Sequence, residues 1–146
     1  MRIIAKNKSI KILLFILPVC LLWGCQANYE HRDAAIAVHD EIMPKMEPFV
    51  QKSMQIDTLL SHLDSLYQLD SSLDTLQLQA SLKSAKAKIT EANDAMHAWM
   101  HDFELEPEGD RAAVEAYFLE QKSKIDVVKQ RYLDTENLLK SIDHLN

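Results

Sequence analysis

The sequence predicts an all-α fold, a three-helix antiparallel bundle whose first helix is kinked or split at Pro44 and Pro48. Three observations favour this fold: only two glycines among 146 residues, apolar residues in three long series, and no sustained apolar–polar alternation. β-Sandwiches, barrels and dinucleotide-binding folds need glycine at their tight turns and phosphate loops. The same shortage of glycine argues against nucleotide binding.

The N-terminal segment predicts export and lipidation. Four basic residues and no acidic residue precede an apolar run, Ile12 to Leu22, that is too short to span about 30 Å of hydrocarbon. The run ends in Leu22-Trp23-Gly24-Cys25, which resembles the bacterial lipobox, whose cysteine is lipidated and becomes the first residue of the mature chain. We expect a signal peptide over 1–24, lipid such as palmitate on Cys25, a lipid-anchored tether over 25–32 and the helical bundle over 33–146.

The net charge of the expected mature chain limits the classes of partner that it can bind. Residues 1–24 carry four of the 16 Lys and Arg and none of the 22 Asp and Glu, so the remainder has a net charge of −10. That charge argues against nucleic acid and against adhesion to anionic lipid. Lipid on Cys25 would hold the protein to a bacterial envelope membrane, and we expect the outer membrane, facing the periplasm.

Each predicted helix has an apolar series with 4-3 spacing, which places the series on one helix face. The first series is Ala35, His39, Ile42, Met46, Phe49, Ser53, Ile56, Leu60, Leu63 and Tyr67. The second series is Leu78, Leu82, Ala85, Ile89, Ala92, Met96, Trp99 and Phe103. The third series is Val114, Phe118, Gln121, Ile125, Val128, Tyr132, Thr135, Leu139 and Ile142. These faces are typical of a bundle or coiled coil.

The helix boundaries follow from local chemistry. Asp74 is placed to cap the second helix, and Asp110 to cap the third after the turn Pro107-Glu108-Gly109-Asp110. Both connections are short, which favours antiparallel neighbours. Pro44 and Pro48 each lack an N–H and clash with the carbonyl four residues earlier, so the first helix should kink or restart there.

Sulfur and imidazole side chains suggest a candidate metal site. If each connection turns symmetrically, Met43 lies level with His101, and Met96 lies level with Tyr117. The candidate ligands are then His39, Met43, Met46, Met96 and Met100, with Trp99 as a cation–π cap. Thioethers select soft, reduced metal, above all Cu(I), and an indole face stabilises a cation by about 0.5–2 kcal/mol. The alternative is plain core packing, because methionine fills irregular gaps.

Other polar groups give weaker signals. His97 and His101 have the i, i+4 spacing of a shared ion site but face away from Trp99 and have no third ligand. Carboxylates crowd the same end, namely Asp40, Glu41, Glu104, Glu106, Glu108 and Asp110. A solvated rim explains these carboxylates, and a hard divalent cation is the unspecific alternative. No nucleophile motif is present, so we expect no enzyme activity.

Three sequence features carry a family resemblance. The lipobox, the segment from His39 to Met46 and Met96-x-x-Trp99-Met100 resemble a family of small bacterial envelope lipoproteins often labelled viral A-type inclusion proteins. The resemblance implies the lipid anchor and a helical fold, and it implies no activity. A looser similarity links the His, Met and Trp set to periplasmic Cu(I)/Ag(I) chaperones, whose fold differs.

Two functions stay open at this point. The first is a non-enzymatic binding or interaction protein of the envelope, with an envelope protein as partner. The second is a Cu(I)- or Ag(I)-binding protein. A partner-binding bundle should leave an apolar series unburied, whereas a metal carrier should bury all three and open a polar or sulfur-lined pocket near Pro44.

Overall fold

A computed structural model describes residues 29–143, and every regular element in that range is a helix. The elements are α1 (Glu30–Ile42), a 3₁₀ turn (Met43–Lys45), α2 (Met46–Ser61), α3 (Leu63–Leu69), α4 (Thr75–Asp102) and α5 (Arg111–Asp143). The predicted all-α class is therefore confirmed for these residues. No helix within this range is long and apolar enough to cross a bilayer. The predicted signal peptide and Cys25 lie outside the described residues.

The first helix is interrupted at Pro44. α1 begins at Glu30, inside the segment expected to be tether, and ends at Ile42. Pro44 lies within the 3₁₀ turn that follows. Pro48 falls in the first turn of α2, where a missing N–H removes no intrahelical bond. Pro44, and not Pro48, therefore interrupts the helix.

A second interruption, at His62, is absent from the sequence prediction. The first apolar series runs on to Tyr67, but α2 ends at Ser61 and α3 starts at Leu63. The Ser61 hydroxyl donates to the Thr58 carbonyl at 2.7 Å, and His62 Nδ1 lies 2.7 Å from the same oxygen. Such side-chain bonds compete with the backbone ladder and end the helix locally.

Side-chain caps begin the two long helices, as predicted. The Asp74 carboxylate accepts from the Gln77 backbone N–H at 2.9 Å, and the Asp110 carboxylate accepts from the Ala113 N–H at 2.9 Å. In the turn before Asp110, Gly109 has φ of +137°, a conformation that favours glycine. These bonds satisfy N–H groups that a helix start leaves unpaired.

The core consists of the predicted series. Every member of the third series is buried, and the second series is buried from Leu82 to Trp99. In the first series Ala35, Ile42, Phe49, Ile56 and Leu63 are buried, whereas Tyr67 is half exposed. The 4-3 spacing therefore identified the packed face of each helix.

Candidate functional site

His39 and Trp99 meet across the helices near the Pro44 break. Their ring centroids are 5.6 Å apart and the rings are stacked at 27°. Trp99 Nε1 donates to the Gln121 backbone carbonyl at 3.2 Å, which fixes the indole in the core. His39 Nδ1 lies 2.9 Å from Asp40 Oδ1. The structure thus brings the predicted imidazole ligand and the predicted cap together.

The four candidate methionines are placed differently from one another. Met96 is completely buried in the core beside Trp99, and Met46 and Met100 are half buried against the same core cluster. Met43 is 43 % exposed. A metal site built here would draw on His39 and the two half-buried thioethers more readily than on Met43, which points to solvent.

The predicted register between α4 and α5 is wrong by about two helical turns. Tyr117, expected level with Met96, instead bonds to the end of α4 and the loop beyond it. Its hydroxyl accepts from the Glu104 N–H at 2.7 Å and donates to the Asp102 carbonyl at 3.2 Å. The connection is not a symmetric turn, because Tyr117 holds its first residues against the start of α5. That shift changes which α5 residues lie level with Met96, whereas the alignment of the first helix with α4, in which His39 meets Trp99, is close to the predicted one.

An aromatic cluster extends from Trp99 toward the start of α1. The Trp99 ring lies 4.7 Å from that of Phe103, and Phe103 lies 6.2 Å from Phe118. Tyr29 contacts Phe118 at 5.3 Å, and Arg32 lies over the Tyr29 ring at 5.4 Å. Phe103 and Phe118 belong to the apolar series, but sequence reasoning did not identify the cluster because the rings meet only in the observed register.

A groove of about 400 Å³ opens between α4 and α5 beside Trp99. It is lined by Ala95, Ala98, Trp99, Asp102, Gln121, Lys124, Val127, Val128 and Arg131. Among the described residues Gln121 Oε1 is buried without a hydrogen-bond partner. A hydrogen bond to Glu120 raises the pKa of Lys124 on the groove lip. The metal-carrier hypothesis expected a polar or sulfur-lined pocket. The groove lining holds no methionine, but it includes the polar residues Asp102, Gln121, Lys124 and Arg131 beside apolar ones.

The histidine pair and the acidic rim lie at the surface. His97 is exposed, and His101 is 88 % exposed at its side chain and bonds to Asp102 at 2.8 Å. The carboxylates proposed as a rim, Asp40, Glu41, Glu104, Glu106, Glu108 and Asp110, are also exposed. Within residues 29–143 no group of three or more His, Cys, Asp or Glu side chains is arranged to hold a metal ion.

The opposite end of the molecule carries the two most exposed large apolar side chains among residues 29–143. Leu69 is 86 % exposed and Leu76 is 79 % exposed. A cleft of about 350 Å³ between α3 and α4 is lined by Asp64, Tyr67, Gln68 and Thr75. Sequence reasoning missed this surface, although a signal exists, since Leu69 and Leu76 fall outside every 4-3 series.

Comparison with known proteins identifies no relative. The chain matches no protein-family profile, and no curated protein or solved structure is significantly similar to it. The residues themselves therefore carry the evidence for function.

Proposed function

We propose that this chain is a non-enzymatic interaction protein of the bacterial envelope, anchored by lipid on Cys25 and built as a three-helix antiparallel bundle. The three apolar series are largely buried, which was the arrangement expected of a metal carrier and not of a partner-binding bundle. The observation that carries the interaction function is instead the exposure of Leu69 and Leu76, two large apolar side chains that lie outside the series. Leu69 is the last residue of α3 and Leu76 lies in the first turn of α4, so both side chains are at the same end of the molecule. Exposed apolar surface concentrated in one region is typical of interaction sites.

Inter-helix contacts support the antiparallel bundle. The first set joins α4 to α5 through Trp99–Gln121 and Asn93–Tyr132. The second set joins the α1–α2 segment to α4 through His39–Trp99 and Asp57–Lys86. The third set joins the α1–α2 segment to α5 through Glu41–Lys129 and Lys45–Glu136. In the first two sets residue numbers fall on one helix as they rise on the other. In the third set they rise together. This is the pattern of three successive antiparallel helices in which the first is broken.

Envelope anchoring rests on the N-terminal sequence and is tested by mass spectrometry. The protein isolated from membranes should lack residues 1–24 and carry acyl chains on Cys25. Cys25→Ser should block this processing, and the acylated species should disappear. Sucrose-gradient fractionation then assigns the inner or outer membrane. Normal processing and membrane retention of Cys25→Ser would refute the lipid anchor.

A second candidate function, Cu(I) or Ag(I) binding, is favoured by one observation, the stacking of His39 on Trp99. Met46 and Met100 pack against the same core, and thioether with imidazole suits soft monovalent metal. The completely buried Met96 and the exposed Met43 fit this function less well. The expected mature chain starts after Trp23, which leaves Trp99 as its one tryptophan.

The fluorescence of Trp99 therefore reports the metal directly. Under reducing conditions Ag(I) should quench or shift its emission and saturate near one equivalent. Met46→Leu with Met100→Leu should abolish the response, because leucine nearly conserves the volume of methionine. Met54→Leu is the matched control, since Met54 is 66 % exposed. Unchanged emission, or equal effects in the pair and the control, would rule out this site.

A further inference from the structure

The end formed by α3, its connection and the start of α4 combines acidic and apolar surface. We call residues 63–80 the acidic tip. It contains Asp64, Asp70 and Asp74, and no Lys or Arg occurs between Lys52 and Lys83. Several surface carboxylates elsewhere pair with nearby bases, as Asp57 does with Lys86. In the described structure the three tip carboxylates make no ion pair.

The tip also carries exposed apolar side chains. Leu69 and Leu76 are the two most exposed large apolar residues described, and Tyr67 is 50 % exposed. α3 packs against α2 and α4 through Leu63, which is 7 % exposed. Its other face is left to solvent.

The cleft between α3 and α4 gives the tip a concave surface in which a side chain of a partner could bind. Its lining includes Asp64 and Tyr67. An acidic and an aromatic residue in one cleft suit a Lys or Arg side chain, which can form a charge-assisted hydrogen bond with the first and a cation–π contact with the second. The Asp70 carboxylate accepts from Ser72, which lowers the pKa of Asp70 and keeps it charged.

We infer that the acidic tip binds a basic amphipathic helix of a partner protein. The basic side chains of that helix lie on Asp64 and its neighbours, and its apolar face covers Leu69 and Leu76. Charge complementarity selects this occupant, because an acidic or neutral helix would meet unpaired carboxylates. The inference rests on the proposed interaction function and names the surface and the chemistry of the partner. The tip lies at the end opposite Tyr29, so an anchor at Cys25 would present it away from the membrane.

The experiment uses a fluorescein-labelled peptide of lysine, leucine and alanine, about 18 residues or five helical turns long. The full mature lipoprotein is held in phosphatidylcholine nanodiscs, and binding to empty nanodiscs is subtracted. Fluorescence anisotropy should show saturable 1:1 binding that weakens with added salt. A peptide with glutamate in place of lysine should not bind.

Matched variants locate the binding surface. Leu69→Ser with Leu76→Ser, and separately Asp64→Asn, should each weaken binding about tenfold. The controls are Leu105→Ser and Glu106→Gln, an exposed leucine and its acidic neighbour near the other end, which should bind like the parent protein. Circular dichroism melts should match for all variants, because the substituted residues are exposed.

Equal loss in tip and control variants, no loss in either, or binding of the glutamate peptide would overturn the inference. If processing and acylation at Cys25 are found but the tip variants bind normally, only the tip assignment fails. If the tip binds as expected but Cys25 carries no lipid, the anchor fails and the tip surface stands.

Discussion

The Tyr132 hydroxyl donates a 2.7 Å hydrogen bond to the Asn93 side-chain oxygen, which joins α5 to α4 inside the core. Tyr132 is completely buried and Asn93 is 8 % exposed. Phe49 of α2 stacks on the Tyr132 ring with 5.0 Å between centroids. Any other register would bury these two polar groups without partners, at about 1–3 kcal/mol each. One phenol therefore helps to set the alignment of three helices.

Tyr132→Phe should lower the free energy of unfolding by about 1–3 kcal/mol, because Asn93 keeps a buried oxygen without a donor. Urea denaturation measures the loss. Adding Asn93→Leu should recover part of it, since the unpaired oxygen is then removed. Strictly additive losses in the double variant would show that the two side chains do not interact.

The same phenol should make stability depend on alkaline pH. Burial raises the pKa of Tyr132 from 10.0 to about 12. The unfolded chain releases this proton near pH 10 and the folded chain only near pH 12, so the unfolded state binds fewer protons between these values. Stability should therefore fall as pH rises through that interval. Urea midpoints for wild type and Tyr132→Phe should converge from pH 9.5 toward about pH 12, and parallel curves would contradict the assignment.

The packed faces were predictable, whereas the register was not. Apolar spacing alone identified buried residues such as Ile89 and Phe118, because burial of one face is a local periodic property. The α4–α5 register depends on Tyr117, whose hydroxyl reaches back to Asp102 and Glu104. That contact joins residues far apart in sequence, and no spacing rule encodes it.

The candidate site, like the fold, was predictable only where it depends on the apolar spacing. His39 and Trp99 fall on the packed faces of their helices, so their meeting follows from the apolar series. Met43 is not a member of the first series, which steps from Ile42 to Met46, so its exposure also agrees with the apolar spacing. The break at His62 was not predicted because the apolar pattern continues through it. A local signal exists, since serine and histidine side chains such as those of Ser61 and His62 can bond to nearby backbone carbonyls.

Truncation at the centre of the second series tests the core. Ile89 is 2 % exposed, and Ile89→Ala should cost about 2–5 kcal/mol in urea denaturation. Leu76→Ala, on the same helix but at a residue 79 % exposed, is the matched control and should change stability by less than about 0.5 kcal/mol. Similar melting curves for the two variants would mean that the second series does not form the core.

The two prolines of the first helix should behave differently when replaced. Pro44 has no N–H to donate to the Asp40 carbonyl four residues earlier, and an interior proline costs a helix about 3 kcal/mol. Pro48 lies in the first turn of α2 and removes no such bond. Pro48→Ala should therefore leave stability within about 0.5 kcal/mol of wild type.

Pro44→Ala should join α1 to α2 and raise stability, because the packed residues on either side already fit one helix. Ile42 and Phe49 are seven residues apart, which places them on the same face of a continuous helix, and both are buried. The change should appear as increased ellipticity at 222 nm (about one added helical turn) and a higher urea midpoint. A lower midpoint would show that the core is fitted to the 3₁₀ turn. In that case the first contact to examine is the 2.6 Å ion pair between Lys45 and Glu136, because a straightened helix would displace Lys45.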